Sequence, residues 1–188
     1  VTSENAPVTG DSGPELAALV AGASVDVPDF PKPGVVFKDL MPLFADGAVF
    51  RRVIDGIVTH HTSDSFDVVA GVEARGFVVA AAIAYATGKG VVPIRKAGKL
   101  PRKALSASYE LEYGEATLEV HEDAFIAGQR VLVVDDVLAT GAVSYGLRLL
   151  GAAGAGLSRR AGETRAPCGA RVADCLIRLR CSSPVRSR

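Results

Sequence analysis

Apolar residues recur along this chain in two rhythms, and each rhythm predicts a different element. In "AVFRRVIDGIVTHH", Val49, Val53, Ile54, Ile57 and Val58 fall at helical spacing, so one face of a helix is apolar. "ELAALVAGA", Glu15 to Ala23, reads as a shorter helix, and "GFVVAAAIAYATG" as a helix apolar enough to be buried. The runs "FDVVAGV", "GVVPI" and "RVLVVDD" are short, β-branched and bounded by glycine or charge, which predicts strands. "YELEY" and "ATLEV" alternate and are separated by Gly114 and Glu115, the pattern of a hairpin. "VPDFPKPGVVFKDL" is punctuated by proline and reads as an extended loop, while "SYGLRLLGAAGAG" predicts a helix ending in glycines. Strand, helix, strand in succession is the mark of a parallel sheet with crossover helices, so the expected class is α/β.

Composition narrows this picture only to a degree. A chain of 188 residues, 48% hydrophobic and 6% aromatic, is long enough for an enzyme-like domain with its own core. Its longest apolar run is too short and too rich in alanine to span a bilayer, and the first twenty residues lack the basic start and apolar core of a secretory signal. A cytoplasmic protein without a membrane partner is therefore expected. The net charge of zero conceals an asymmetry: residues 1–157 hold 13 Lys and Arg against 19 Asp and Glu, whereas residues 158–188 hold 8 Arg against 2 acids. All three cysteines, Cys168, Cys175 and Cys181, lie in that basic tail at spacings that match neither a disulfide framework nor a zinc site. No aromatic residue accompanies its arginines as a stacking platform for nucleic acid would need, so no nucleic-acid partner is expected.

The chemistry concentrates in "VLVVDDVLATGAVS". Strand, loop and helix in that order put Asp135 and Asp136 at the carboxyl edge of the parallel sheet, where open α/β folds bind ligands. The following "LATGAVS" would offer backbone N–H groups to a phosphate. Two carboxylates would repel that phosphate, but they accept hydrogen bonds from ribose hydroxyls, and a divalent cation on the sugar would offset their charge. A sugar phosphate is the ligand that reconciles both halves, although a strand end that merely carries solvated acids explains the pair equally well.

The complete string resembles the phosphoribosyl-diphosphate motif of the type I phosphoribosyltransferases. Four further segments, "VPDFPKPGVVFKDL", "VAGVEARGF", "PIRKAGKLPR" and "YELEYGEATLEVHEDA", resemble in order the members of that family that act on adenine, so the likeness covers about residues 24 to 141, with a weaker continuation to 157. The resemblance implies the family's fold: a central, mainly parallel sheet flanked by helices, with a mobile β-hairpin over the active site. It implies transfer of a phosphoribosyl group from phosphoribosyl diphosphate to adenine with Mg²⁺, the metal held mainly by substrate oxygens, in a homodimer.

Carried over by position, the resemblance assigns Val36, Phe37 and Lys38 to adenine, with backbone near Val36 reading the base edge and Phe37 stacking on the ring. Glu73, Ala74, Arg75 and Gly76 match the diphosphate loop, and Arg95, Lys96 and Lys99 add charge of the same sign. Glu112, in "LEYG", matches the catalytic glutamate, a general acid for the purine, while Asp135, Asp136, Ala139, Thr140, Gly141, Ala142, Val143 and Ser144 match the ribose-phosphate motif. Two departures stand in that motif: Ala142 and Val143 replace the family's second glycine and its hydroxylated residue, and Ser144 restores a hydroxyl only if the loop shifts by one position. The loss of one charge-assisted hydrogen bond weakens such a site by about 1.5 to 3 kcal/mol. Met41 also stands where a small hydroxylated residue is usual.

The expected organisation is a phosphoribosyltransferase domain over residues 1–157, whose N-terminal residues 1–45 carry the base-recognition loop, and a divergent Arg- and Cys-rich tail over 158–188. Only "CLIRL" in that tail reads as a strand, and its abrupt change of charge and periodicity motivates the hypothesis that it is read in a different frame; resequencing the coding DNA tests this. Two alternatives stay open at this level: a regulator that binds phosphoribosyl diphosphate without turnover, and a type I enzyme for another base.

Overall fold

The computed structural model describes residues 13–30, 32–61, 63–111, 114–126, 128–136, 157–159 and 176–181. The chain divides into two compact units, residues 1–61 and 62–188.

In the first unit, helices α1 (Gly13–Ala23), α2 (Met41–Ala45) and α3 (Gly47–His61) pack together, and strands β1 (Val25–Pro28) and β2 (Val36–Asp39) form an antiparallel pair. The amphipathic pattern decides α3: Val53, Ile54 and Gly56 are buried, and Gly56 faces the side chain of Leu16 on α1. Aspartates start α2 and α3. Asp39 Oδ1 accepts from Met41 N at 2.9 Å, and Asp46 Oδ1 accepts from Ala48 N and Val49 N, satisfying donors that have no partner within the helix. The segment expected as an extended loop is thus partly a hairpin, with Val27 opposite Phe37 and Asp26 opposite Lys38. Proline concealed it, because Pro28 sits at a strand end on a two-stranded edge, where its missing N–H costs no ladder bond.

The second unit is built on a seven-stranded sheet of order β5-β6-β4-β3-β7-β9-β8. Its strands are β3 (Val68–Val72), β4 (Gly90–Lys96), β5 (Ala104–Leu111), β6 (Gly114–His121), β7 (Arg130–Val134), β8 (Leu157–Arg159) and β9 (Leu176–Cys181). The central pairings, β3 with β4 and β3 with β7, are parallel, and the outer ones are antiparallel, so the sheet is mixed around a parallel centre. Both faces of β3 are buried, which is why its sequence runs apolar without alternating. On one face, Val68, Ala70 and Val72 join Ile94, Ala107, Leu118, Val120, Val131 and Val133 in a single cluster. On the other lies helix α4 (Gly76–Thr87), packed against β3, β4 and β7.

Expectation and structure differ at two places here. Helix α4 is not buried all round: Val79, Ala80, Ile83 and Ala84 face the sheet, whereas Val78 and Tyr85 are exposed, Tyr85 by 92%. The hairpin turn does not fall at Gly114 and Glu115, because Leu111 pairs with Gly114 and Glu110 with Glu115. Its register is set farther from the turn, where Ala107 opposes Leu118 and Leu105 opposes Val120 within the core cluster; moving the turn to Gly114 and Glu115 would bring Glu122 opposite Ala107.

Glycine at two positions permits the approach of α4 to the sheet. A Cβ on Gly71 would lie 2.7 Å from Gly76 O and 2.8 Å from the Ala80 Cβ, and one on Gly76 would lie 2.7 Å from Val134 O. Gly71→Ala should therefore cost about 1 to 3 kcal/mol, since backbone must move to admit the methyl. Gly22→Ala, on α1 with open space around it, should stabilise by up to about 1 kcal/mol. Urea denaturation of both variants checks the contrast, and equal midpoints would refute the packing argument. At the base of β7, Arg130 donates to both carboxylate oxygens of Asp67, and this pairing lowers the Asp67 pKa from 3.8 to about 2. A lowered carboxylate pKa adds stability that is present above pH 4 and lost as pH falls through about 2. Asp67→Asn should flatten that acid limb by lowering the melting temperature at neutral pH while matching the parent near pH 2, and the neutral-pH loss should be small because the pair is about one-third exposed.

Candidate active site

The carboxyl ends of β3 and β7 lie side by side, paired from Val68 opposite Val131 to Gly71 opposite Val134. Each strand then releases its chain into a loop on the same edge of the parallel centre. After β3 come Glu73, Ala74 and Arg75 and the first turn of α4, with a cis peptide between Glu73 and Ala74. After β7 come Asp135 and Asp136. Gly76 joins the two loops, because the position of its missing Cβ is 3.3 Å from Asp135 Cα and 3.5 Å from Asp135 Oδ1.

The acid pair is held by different partners. Asp135 Oδ1 accepts from Asp136 N at 2.9 Å. Burial is the main influence on its carboxyl and pushes the pKa from 3.8 up to about 7; the neighbouring Asp136 adds to the rise, while its own hydrogen bond and Arg75 oppose it. Asp136 is buried, and its Oδ2 lies 2.6 Å from Arg75 Nε. That oxygen makes no hydrogen bond of good angle, so the contact is an ion pair in which charge, more than direction, does the holding. Arg75, expected to meet a diphosphate, is brought against one of the two acids expected to meet a ribose.

Glu73 is placed differently from the loop residues around it. Its Oε2 accepts from Lys96 N at 2.9 Å and lies 3.4 Å from Arg95 Nε. The bond from Lys96 N, opposed by burial and helped by Arg95, holds the Glu73 carboxyl below its usual range. Glu73 thereby clasps the end of β4, and Arg95 in turn donates to Lys99 O at 3.0 Å. The basic loop after β4 has a second clasp, for Glu119 on β6 accepts from Gly98 N at 2.9 Å and from Ser106 Oγ at 3.2 Å. Glu119 was not among the expected residues; its position between buried Leu118 and Val120, on the opposite side of the strand, is the signal that a carboxylate is available at that edge. Lys96 and Lys99 are exposed.

In the first unit, Phe37 is half-buried and Val36 is 59% exposed. Lys38 forms a short ion pair with Asp26 across the β1–β2 pair, a partner that alternation within the strands could have indicated. Glu112 and the segment carrying Ala139, Thr140, Gly141, Ala142, Val143 and Ser144 lie outside the described residues.

A resident metal would need several converging ligands. Among the described residues no group of three or more His, Cys, Asp and Glu side chains is arranged to hold one. The acid pair beside an arginine offers acceptors for hydroxyl donors on a ligand. No described helix is long and apolar enough to cross a membrane.

Comparison with known proteins agrees with this geometry. The model of the phosphoribosyl transferase domain matches residues 43–157. An adenine phosphoribosyltransferase of Salinispora tropica is 78% identical over 134 residues, 71% of each chain, and one of Acidothermus cellulolyticus is 58% identical over 127 residues, 68% of this chain and 72% of that one. Among solved structures, the adenine phosphoribosyltransferase of Thermoanaerobacter pseudethanolicus superimposes with a TM-score of 0.69 at 44% identity, over 72% of this chain and 79% of that one. That of Saccharomyces cerevisiae, complexed with adenine and an imino-altritol bisphosphate, gives a TM-score of 0.69 at 36% identity, over 73% and 80%. With the motifs in order, the acid pair and arginine at the carboxyl edge of a parallel centre, and relatives this close, the chain belongs to the phosphoribosyl transferase family, among its adenine phosphoribosyltransferases.

Proposed function

We propose that the chain transfers the 5-phosphoribosyl group of phosphoribosyl diphosphate to adenine, releasing AMP and pyrophosphate, as a homodimer in the cytoplasm that serves purine salvage. One observation carries the reading: Asp135, Asp136 and Arg75 meet at the edge where β3 and β7 end, in a chain 78% identical over most of its length to an adenine phosphoribosyltransferase.

Each residue then has a task set by its chemistry. Asp135 and Asp136 accept from the ribose hydroxyls, and backbone N–H groups from Ala139 through Ser144 take the 5′-phosphate. Arg75, with Arg95, Lys96 and Lys99, neutralises the diphosphate as it leaves, while Ala74 and Gly76 let the loop backbone approach it. Glu73 supports this reading as the clasp that orients Arg95 and Lys96. Mg²⁺ accompanying the substrate would supply further neutralisation of the leaving group. Phe37 stacks on adenine, backbone near Val36 reads its edge, and Lys38 adds a polar contact. Bond cleavage at the ribose builds positive charge on the sugar; Glu112 exchanges a proton with the purine and balances that charge.

The buried atom Asp136 Oδ2, lacking a well-aligned donor, is suited to a ligand hydroxyl that would complete its bonding. The site also carries a cost in the absence of ligand. Because the folded pKa of Asp135 is about 7 against 3.8, the folded state holds a proton that the unfolded chain has released, and stability declines as pH rises from about 4 to 7.

Two experiments follow. Initial rates with adenine, hypoxanthine, guanine and orotate, each with phosphoribosyl diphosphate and Mg²⁺, should show AMP formation and little turnover of the others; Glu112→Ala should lower kcat by about 10² to 10⁴. Binding of phosphoribosyl diphosphate with no product from any base would instead mark a regulator. Asp135→Asn should melt higher than the parent protein at pH 8, with the difference shrinking at pH 5, yet bind phosphoribosyl diphosphate about tenfold to more than a hundredfold less tightly. A variant that is destabilised at pH 8, or that keeps full affinity, would contradict the assignment of this carboxylate.

A further inference from the structure

The chain around Phe30 is held with unusual care for a surface segment. Asp29, directly after β1, has a positive φ of 57°, and its Oδ1 accepts from Gly34 N at 2.7 Å. Gly34 itself has φ 84°, Phe30 N donates to Val35 O at 3.2 Å, and Val35 N donates to Lys32 O at 3.2 Å. These bonds turn the described residues between β1 and β2 back on themselves and return the chain into β2 with Phe30 beside Phe37. Phe30 is 51% exposed, so burial alone does not account for an aromatic residue there. Its defined contact is with Phe37: the ring centroids are 5.2 Å apart and the planes meet at 68°, an edge-on pair.

We propose that Phe30 is a positioning residue for the purine base, acting through Phe37 by setting the plane in which that ring offers its face for stacking. The inference rests on the reading that Phe37 stacks on adenine, and adds a residue to which that reading gives no role. A pair of strands four residues long has little stiffness of its own, so each contact on a phenyl ring there narrows the range of its two side-chain torsions. Stacking pays for the freedom that the ring loses on binding. A neighbour that removes that freedom beforehand raises affinity for the base without touching it. Phosphoribosyl diphosphate has no aromatic group to stack, so the effect should be confined to base and nucleotide.

The test compares Phe30→Leu, Phe30→Tyr and Phe37→Ala with the parent protein, using steady-state rates and calorimetric affinities for AMP and for phosphoribosyl diphosphate. Phe30→Leu should raise KM for adenine and Kd for AMP about two- to tenfold, the worth of an edge-on aromatic pair, with kcat and phosphoribosyl diphosphate affinity within about twofold of the parent. Phe30→Tyr, which keeps the ring, should restore the adenine KM. If Phe30→Leu melts early, Phe30→Met is read in its place with the same expectation. An unchanged adenine KM in the Leu or Met variant, or equal weakening of both substrates, overturns the proposal. Should Phe37→Ala raise the adenine KM while Phe30→Leu does not, only the positioning role falls. Should Phe37→Ala leave it unchanged, or the parent protein form no AMP, the assignment of the base site fails and the role of Phe30 with it.

Discussion

Everything at the catalytic edge depends on how closely the first turn of α4 can lie against the ends of β3 and β7. Gly71 removes a side chain from the strand and Gly76 removes one from the helix, and the backbone between them approaches to distances that a methyl group would forbid. That approach lets the short loop after β3 set Arg75 against Asp136, 2.6 Å apart, although the two residues are 61 positions apart in sequence. Larger residues at either glycine would separate the loops before any change in charge was felt.

The electrostatics follow from that geometry. Two adjacent carboxylates are forced together at a buried edge, and they are accommodated unequally: Asp136 takes the guanidinium, while Asp135 is left to burial, which favours its neutral form. The arrangement is costly for the free protein at neutral pH and suits a ligand that brings donors and positive charge with it. Destabilising features are commonly retained where a ligand relieves them.

Away from the acid pair, carboxylates are used for shape. Glu73 accepts from the backbone N–H of Lys96 at the end of β4, Glu119 accepts from that of Gly98 in the loop after it, and Arg102 joins Asp123 at 2.7 Å beside the hairpin base. A basic loop would otherwise be spread by its own charge. Anchoring its backbone through acceptors keeps Arg95 oriented while leaving Lys96 and Lys99 at the surface, where an anion can reach them.

Much of this was legible in the order of residues alone. The apolar period located α1, α3, α4 and the central strands; "CLIRL" indicated β9; and the pair Asp135–Asp136 at the end of an apolar run placed acids at a sheet edge, because these signals are local and rest on periodicity or on a strand's termination. The hairpin of β1 and β2 was hidden by prolines whose cost vanishes on an edge, the turn after β5 was displaced because distant core contacts set the register, and the outer face of α4 is exposed although its residues are apolar. Which partner each charge would take was a matter of tertiary structure: Arg75 with Asp136, Glu73 with the backbone of Lys96, Lys38 with Asp26. A sequence by itself determines which groups are available and where along each element they stand. Only the packing of elements decides which of them meet, since the energy of a charge or an aromatic ring depends on neighbours that are close in space and far apart in the chain.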